Sequence, residues 1–112
     1  MSTAVAIPEV EEDVRRGHKS EDELARLYHV ILLDDNDHTY EYVIEMLMEI
    51  FSFSEEKAYA HTVEVDTKGH TRLSTCSLRE AEKKRDQIHA YGPDRRLSRS
   101  LGSMAALIEP AD

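Results

Sequence analysis

At 112 residues the chain has room for one domain with a modest core and none for a second. Its formal charge of −9 opposes binding to a nucleic-acid backbone or an anionic membrane surface, and its single cysteine excludes an intramolecular disulfide. No apolar run approaches a membrane span, and the opening Met-Ser-Thr-Ala-Val lacks a signal peptide's basic segment, so the sequence predicts a soluble, cytoplasmic protein.

Residues 1–26 are expected to form a mobile acidic tail. Glu9, Glu11, Glu12, Asp13, Glu21, Asp22 and Glu23 outweigh Arg15, Arg16, Lys19 and Arg26, and there is no aromatic residue. Such a segment buries too little apolar area to offset an ordering cost of roughly 1–2 kcal/mol per residue. The core domain then occupies residues 27–112. Its first element, Tyr28-His29-Val30-Ile31-Leu32-Leu33, is β-branched and aromatic without clean alternation, the pattern of a central strand. From Thr39 to Phe51, Tyr40, Val43, Ile44, Leu47, Met48 and Phe51 recur at helical spacing, widened by Met46 and Ile50, with Glu41, Glu45 and Glu49 opposite. Asn36 or Asp37 can cap this helix.

Ser54, followed by Glu55 and Glu56, opens a second helix carrying Ala58, Thr62, Val63 and Val65. Lys68-Gly69 turns the chain into a strand from His70 to Cys76, where the thiol is expected to be buried and inert. Ser77 and Glu80 form a capping box for a third helix running to about Tyr91, with Leu78, Ala81, Arg85 and Ile88 inward; Gly92-Pro93 stops it. A basic loop with Arg95, Arg96 and Arg99 leads to a last strand, about Met104 to Glu109. The order β-α-α-β-α-β on so short a chain predicts a two-layer α/β sandwich, its three-stranded antiparallel sheet covered on one face by three helices.

The feature that points to chemistry is Asp34-Asp35-Asn36, which sets negative charge at the junction between the first strand and the first helix. Such a site wants a cation. As a calcium loop it has acceptors at Asp34, Asn36 and His38 with Glu45 at the twelfth position, but an imidazole falls at the fifth and Thr39 replaces the turn glycine. As an acid–base or nucleophilic enzyme it lacks a placed nucleophile and a glycine-rich phosphate cradle. The histidines are too scattered to collect three zinc ligands, so neither metal nor cofactor is expected. The remaining reading is a binding module that grips a small cationic group beside an apolar pocket.

From Tyr28 to Asp112 the sequence resembles the Clp protease adaptor family (ClpS). The resemblance rests on Tyr28 to Leu33 running ungapped through the acidic junction to Glu41-Tyr42-Val43, on Phe51-Ser52-Phe53 and Ala58, and on Val65 with Lys68-Gly69. Ala81-Glu82-Lys83-Lys84 and the ending Leu107-Ile108-Glu109 add to it. It implies a non-enzymatic adaptor of the same β-α-α-β-α-β fold. Such an adaptor binds the free N-terminus of a substrate protein beginning with Phe, Tyr, Trp or Leu and delivers it to the N-terminal domain of a Clp-type AAA+ unfoldase.

By the same resemblance, Asp34, Asp35 and Asn36 occupy the amine-binding positions. His38, Tyr40, Val43, Thr62, Val65 and Met104 occupy the side-chain pocket, and Arg79, Glu82 and Lys84 the surface that docks on the unfoldase. The chain departs from the pattern in four places. An amine-contacting histidine reads Asp66, two positions that are often Met read Tyr40 and Thr62, and the first acid of the docking pattern reads Arg79. The alternative kept open by these departures is an interaction module of the same fold that has altered or lost N-terminal recognition.

Overall fold

The computed structural model describes residues 26–112, so the expected acidic tail lies outside the described residues except for Arg26. Six elements follow in the expected order: β1 (Leu27–Leu33), α1 (Tyr40–Phe51), α2 (Glu55–Lys68), β2 (His70–Ser77), α3 (Leu78–His89) and β3 (Ala106–Pro110). The sheet is antiparallel with strand order β2-β1-β3, and β1 is central as its composition predicts. Among the described residues no helix is long and apolar enough to cross a membrane.

Alternation along the strands decides which face the helices cover. Val30 and Leu32 of β1 lie in the core opposite Ile108 and Ala106 of β3, whereas Ile31 and its partner Leu107 stand on the other face, where Leu107 is exposed. The register between β1 and β2 slips by one residue between Val30 and Ile31, which pair with Ser74 and Arg72. The extra residue is Leu73, and the bulge lets both Leu73 and Thr71 reach the buried side.

The caps explain where the helices begin. Ser54 and Ser77 accept hydrogen bonds from Lys57 N–H at 3.1 Å and Glu80 N–H at 3.2 Å, as their sequence positions predict. At α1 the expectation of Asn36 or Asp37 is corrected. The cap is Thr39, whose hydroxyl accepts from Tyr42 N–H at 3.2 Å. Gly69 ends α2 with φ +88°, a conformation that suits glycine. Ser52 ends α1 in the same left-handed region, φ 58°, despite its Cβ.

Inside the layer, α1 presents Tyr42, Val43, Met46 and Leu47 rather than a stripe including Tyr40 and Met48, both of which are exposed. The shift follows from Tyr42, which is buried because its hydroxyl reaches Gly92 O at 2.6 Å and its ring meets Tyr91 edge-on at 5.4 Å. In α3, Ala81 and Ile88 are buried as expected, while Leu78 and Arg85 are only partly so, and the helix ends at His89. Cys76 is partly rather than fully buried. Regular β3 starts at Ala106, two residues later than the pattern suggests, with Met104 buried just ahead of it.

Between α3 and β3 the chain folds back against the start of α1 through one buried carboxylate. Asp94 Oδ2 accepts from Thr39 N–H at 2.6 Å and from the Thr39 hydroxyl at 2.8 Å. Its Oδ1 accepts from Arg96 N–H at 3.0 Å and from Arg96 Nη1 at 3.2 Å. Arg96 continues to Glu45 at 2.8 Å. Burial pushes the Asp94 carboxyl up, but the donors of Thr39 and Arg96 together outweigh it and hold it at about 2. Because the folded value is depressed, this stabilisation is present above the unfolded carboxylate range and lost as pH falls through it toward 2. It amounts to on the order of 2 kcal/mol. In urea unfolding between pH 5 and 2.5, Asp94→Asn is expected to start about 2 kcal/mol less stable and to lose correspondingly less on acidification. An acid slope equal to that of the parent would show that Asp94 does not carry this linkage.

Candidate functional site

β1 delivers the acidic junction to a place stitched on both sides. Leu33 N–H donates to Ala105 O and Asp34 N–H to Gly69 O, each at 3.0 Å, so the junction lies between the end of α2 and the approach to β3. Gly69 follows Asp66 by three residues, which brings the last turn of α2 beside Asp34. Burial raises the Asp34 carboxyl above its ordinary value, the negative charges of Asp66 and Asp35 raise it further, and a backbone hydrogen bond at Asp35 opposes them. Asp34 and Asp66 therefore share one electrostatic environment.

Asp35 is placed differently. Its carboxylate accepts from Asp37 N–H at 3.0 Å and faces His38 Nδ1 at 2.8 and 3.0 Å. The other ring nitrogen of His38 lies 2.7 Å from Gly102 O. Both partners are oxygens with no hydrogen to give, so the two bonds coexist only when both ring nitrogens are protonated. The ring is buried against Tyr42, with centroids 4.5 Å apart. Arg99 holds the same loop from outside, donating from Nε and Nη2 to Asn36 O at 3.1 and 2.6 Å and from Nε to Asp37 at 3.3 Å. Thus Asp35 has a partner within the junction. Among the described residues neither Asp34 nor Asp66 has a Lys, Arg or His in ion-pair range.

Asp66 instead accepts from the Tyr40 hydroxyl at 2.7 Å, and this bond is the chief cause of a raised Tyr40 phenol. The Tyr40 ring also meets Tyr59 edge-on, with centroids 6.2 Å apart. Of the other expected pocket residues, Val43, Thr62, Val65 and Met104 are 4, 1, 2 and 3 % exposed. All four belong to the buried interior. An open groove does occur along α2, lined by Lys57, His61, Glu64 and Lys68, away from the junction residues.

The expected docking residues sit elsewhere. Leu27 at the start of β1 pairs with Ser77, the cap of α3, whereas the acidic junction follows Leu33 at the other end of the strand. Seven residues of strand separate the two surfaces by roughly 20 Å. Glu82 is exposed. Lys84 is engaged internally, donating to Ile50 O at 2.6 Å and lying 5.3 Å from the centre of the Phe51 ring. Reasoning from sequence gave no role to Asp94 or Tyr59, and named Arg99 only as part of a basic loop. One signal for them was present: a basic loop, residues 95–99, in a chain whose most acidic junction needed a counterpart.

Comparison with known proteins gives a consistent answer. Residues 23–99 match the family described as ATP-dependent Clp protease adaptor protein ClpS. The chain is 34 % identical over 66 residues to the ATP-dependent Clp protease adapter protein ClpS of Nautilia profundicola, covering 59 % of this chain and 68 % of that protein. The fold is also that of Agrobacterium tumefaciens ClpS2, solved bound to L-phenylalaninamide. The TM-score is 0.66 at 24 % identity, over 76 % of this chain and 96 % of the other. With more than half of its length matched to one family and a curated relative in agreement, this chain belongs to the ClpS family of Clp protease adaptors.

Proposed function

We propose that the protein is a cytosolic, non-enzymatic adaptor. It binds the free amino terminus of a protein whose first residue is Phe, Tyr, Trp or Leu and delivers that protein to the N-terminal domain of a Clp-type AAA+ unfoldase. The observation that carries the proposal is the pair Asp34 and Asp66, two carboxylates in one electrostatic environment with no cation of their own among the described residues. An α-ammonium has three donors and a full charge, and charge-assisted bonds are about twice as strong as neutral ones. A blocked terminus or an internal residue offers neither, so selection for a chain end follows from the chemistry. In this reading the buried side chains of Val43, Thr62, Val65 and Met104 supply the apolar surface for the first side chain, whose burial contributes roughly 25 cal/mol per Å². L-phenylalaninamide, the ligand of the Agrobacterium ClpS2 structure, carries the same combination of a free amine and a large apolar side chain.

In this reading Asp34 and Asp66 are the principal amine acceptors, the main chain and side chain of Asn36 border them, and Asp35 acts together with His38. The separation of α3 from the junction fits a module with two partners at once, Arg79, Glu82 and Lys84 toward the unfoldase and the acidic junction toward the substrate.

Fluorescent peptides differing only in residue one, each with a free or an acetylated amino terminus, test the first half. Free Phe-, Leu-, Tyr- or Trp-initiated peptides are expected to bind and acetylation to remove most of the affinity. Equal binding of the two forms would sink the amine site. Asp66→Asn should weaken binding by about 1–3 kcal/mol through loss of a charge-assisted acceptor.

The pH dependence has a definite sign. The bound cation favours charged Asp34, whose empty-site value is raised, so peptide affinity should fall as pH drops through that raised value, and Asp34→Asn should flatten the fall. A titration between pH 4 and 8 reads this directly. For the second half, Glu82→Arg should leave peptide affinity unchanged while lowering unfoldase-dependent degradation of a Leu-initiated substrate. Unimpaired degradation would remove this face of α3 from the docking surface. Lys84 is the poorer probe because its ammonium also closes the end of α1.

A further inference from the structure

We infer that His38 is a positioning residue whose second ring proton competes with an incoming ammonium for the Asp35 carboxylate, so that capture of a free amino terminus is coupled to loss of that proton. The inference rests on the amine-site reading above and deepens it. Asp35 faces His38 Nδ1 at 2.8 and 3.0 Å, and His38 Nε2 lies 2.7 Å from Gly102 O. A carboxylate and a carbonyl only accept, so a ring that serves both carries two protons and a full positive charge. The His38 side chain is 3 % exposed, whereas that of Asp35 is 32 % exposed. The carboxylate thus rests against an enclosed cation and is still accessible to a second one.

The other charges around the ring have partners of their own. Arg99 is held on Asn36 O and Asp37, and Asp94 on Thr39 and Arg96. Burial is the main cause of a raised Tyr42 phenol, with the charges of Asp94 and Asp35 adding to it, and the hydroxyl donates to Gly92 O, so that ring stays neutral. Asp34 is the remaining acid of the junction, without a cation in ion-pair range among the described residues. Of these side-chain types, imidazole is the one that ordinarily titrates between about pH 5 and 8.

An α-ammonium arriving on Asp35 brings the charge and the hydrogen bond that Nδ1–H supplies. Two cations on one carboxylate repel, and the ring relieves the repulsion with one of its two bonds intact. It releases the Nδ1 proton to solvent and keeps Nε2–H on Gly102 O, which leaves the junction tied to the segment before β3. The sign is that of a competitor. Affinity for a free amino terminus is lower where the ring is doubly protonated and rises with pH as the proton leaves. By reciprocity the bound ammonium moves the titration of the ring to lower pH.

The test uses the full-length protein, a Phe-initiated peptide with a free amino terminus and the same peptide acetylated. NMR follows the His38 ring, its signal assigned through the backbone, from about pH 5 to 8. The free-amine peptide is expected to shift the ring's midpoint toward lower pH and the acetylated peptide to leave it in place. Fluorescence titrations of the parent and of His38→Gln over the same range supply a second readout, with melting curves to check the variant's fold. The peptide's own amine and Asp34 titrate in both proteins, so the ratio of the parent's affinity to the variant's isolates the ring. That ratio is expected to rise by about 3- to 10-fold from the acid to the neutral end, the effect of one unit charge at a partly exposed site. A ring midpoint unmoved by a free-amine peptide that binds, or a flat ratio with a folded variant, would overturn the coupling and leave the amine site standing. Equal binding of the free and acetylated peptides would overturn the amine site and the coupling with it.

Discussion

A single buried carboxylate, Asp94, organises this molecule. The acidic junction after β1 is short and strongly charged, and a charged segment of that kind does not hold its own shape. What holds it is attached further along. Thr39 gives its N–H and hydroxyl to Asp94, Arg96 gives two more donors, and Arg96 reaches on to Glu45 of α1. The start of α1 is thereby fixed to the segment preceding β3, and from that segment Arg99 and Gly102 take hold of Asn36 and His38. A buried carboxylate is stabilising only when its acceptor sites are filled, and here donors from two distant stretches of chain fill them.

The negative charge of the junction is consequently divided into two kinds. Asp35 is directed inward, toward His38 and the N–H of Asp37, and serves to shape the loop. Asp34 has no such partner among the described residues, and beside burial the negative charge of Asp66 raises its carboxyl above the ordinary value. A raised carboxyl of this kind marks an unfavourable charge environment that a nearby cation would relieve. Asp66 belongs with Asp34 in this division, its carboxylate taking the Tyr40 phenol rather than a cation as its partner.

Much of this architecture was legible in the sequence because it is local. Ser54, Ser77 and Gly69 signal helix ends through their own chemistry, and the β-branched run of β1 announces a strand buried in mid-sheet. The failures lie where distant partners decide. Thr39 displaces Asn36 and Asp37 as cap because Asp94, 55 residues away, binds its N–H and hydroxyl. The buried stripe of α1 is turned toward Tyr42 because Gly92 O waits for that hydroxyl, which no helical periodicity can reveal. The acidic junction was readable for a similar reason, since Asp34 and Asp35 are adjacent in the chain, whereas the approach of Asp66 to Asp34 depends on the fold. The contact of Tyr40 with Asp66 and Tyr59 of α2 was not readable, since it depends on how the two helices pack.

The irregular register between β1 and β2 has a consequence for how the protein behaves in a crowded solution. With β1 in the middle, β2 and β3 are both edges, each a row of backbone groups on which another chain could add a strand. The extra residue at Leu73 bends and twists β2 so that its outer rim cannot serve as a straight template. The other edge is five residues long and closes on Pro110, which has no N–H to offer. The slip that brings Leu73 into the core thereby also blunts that edge against strand addition.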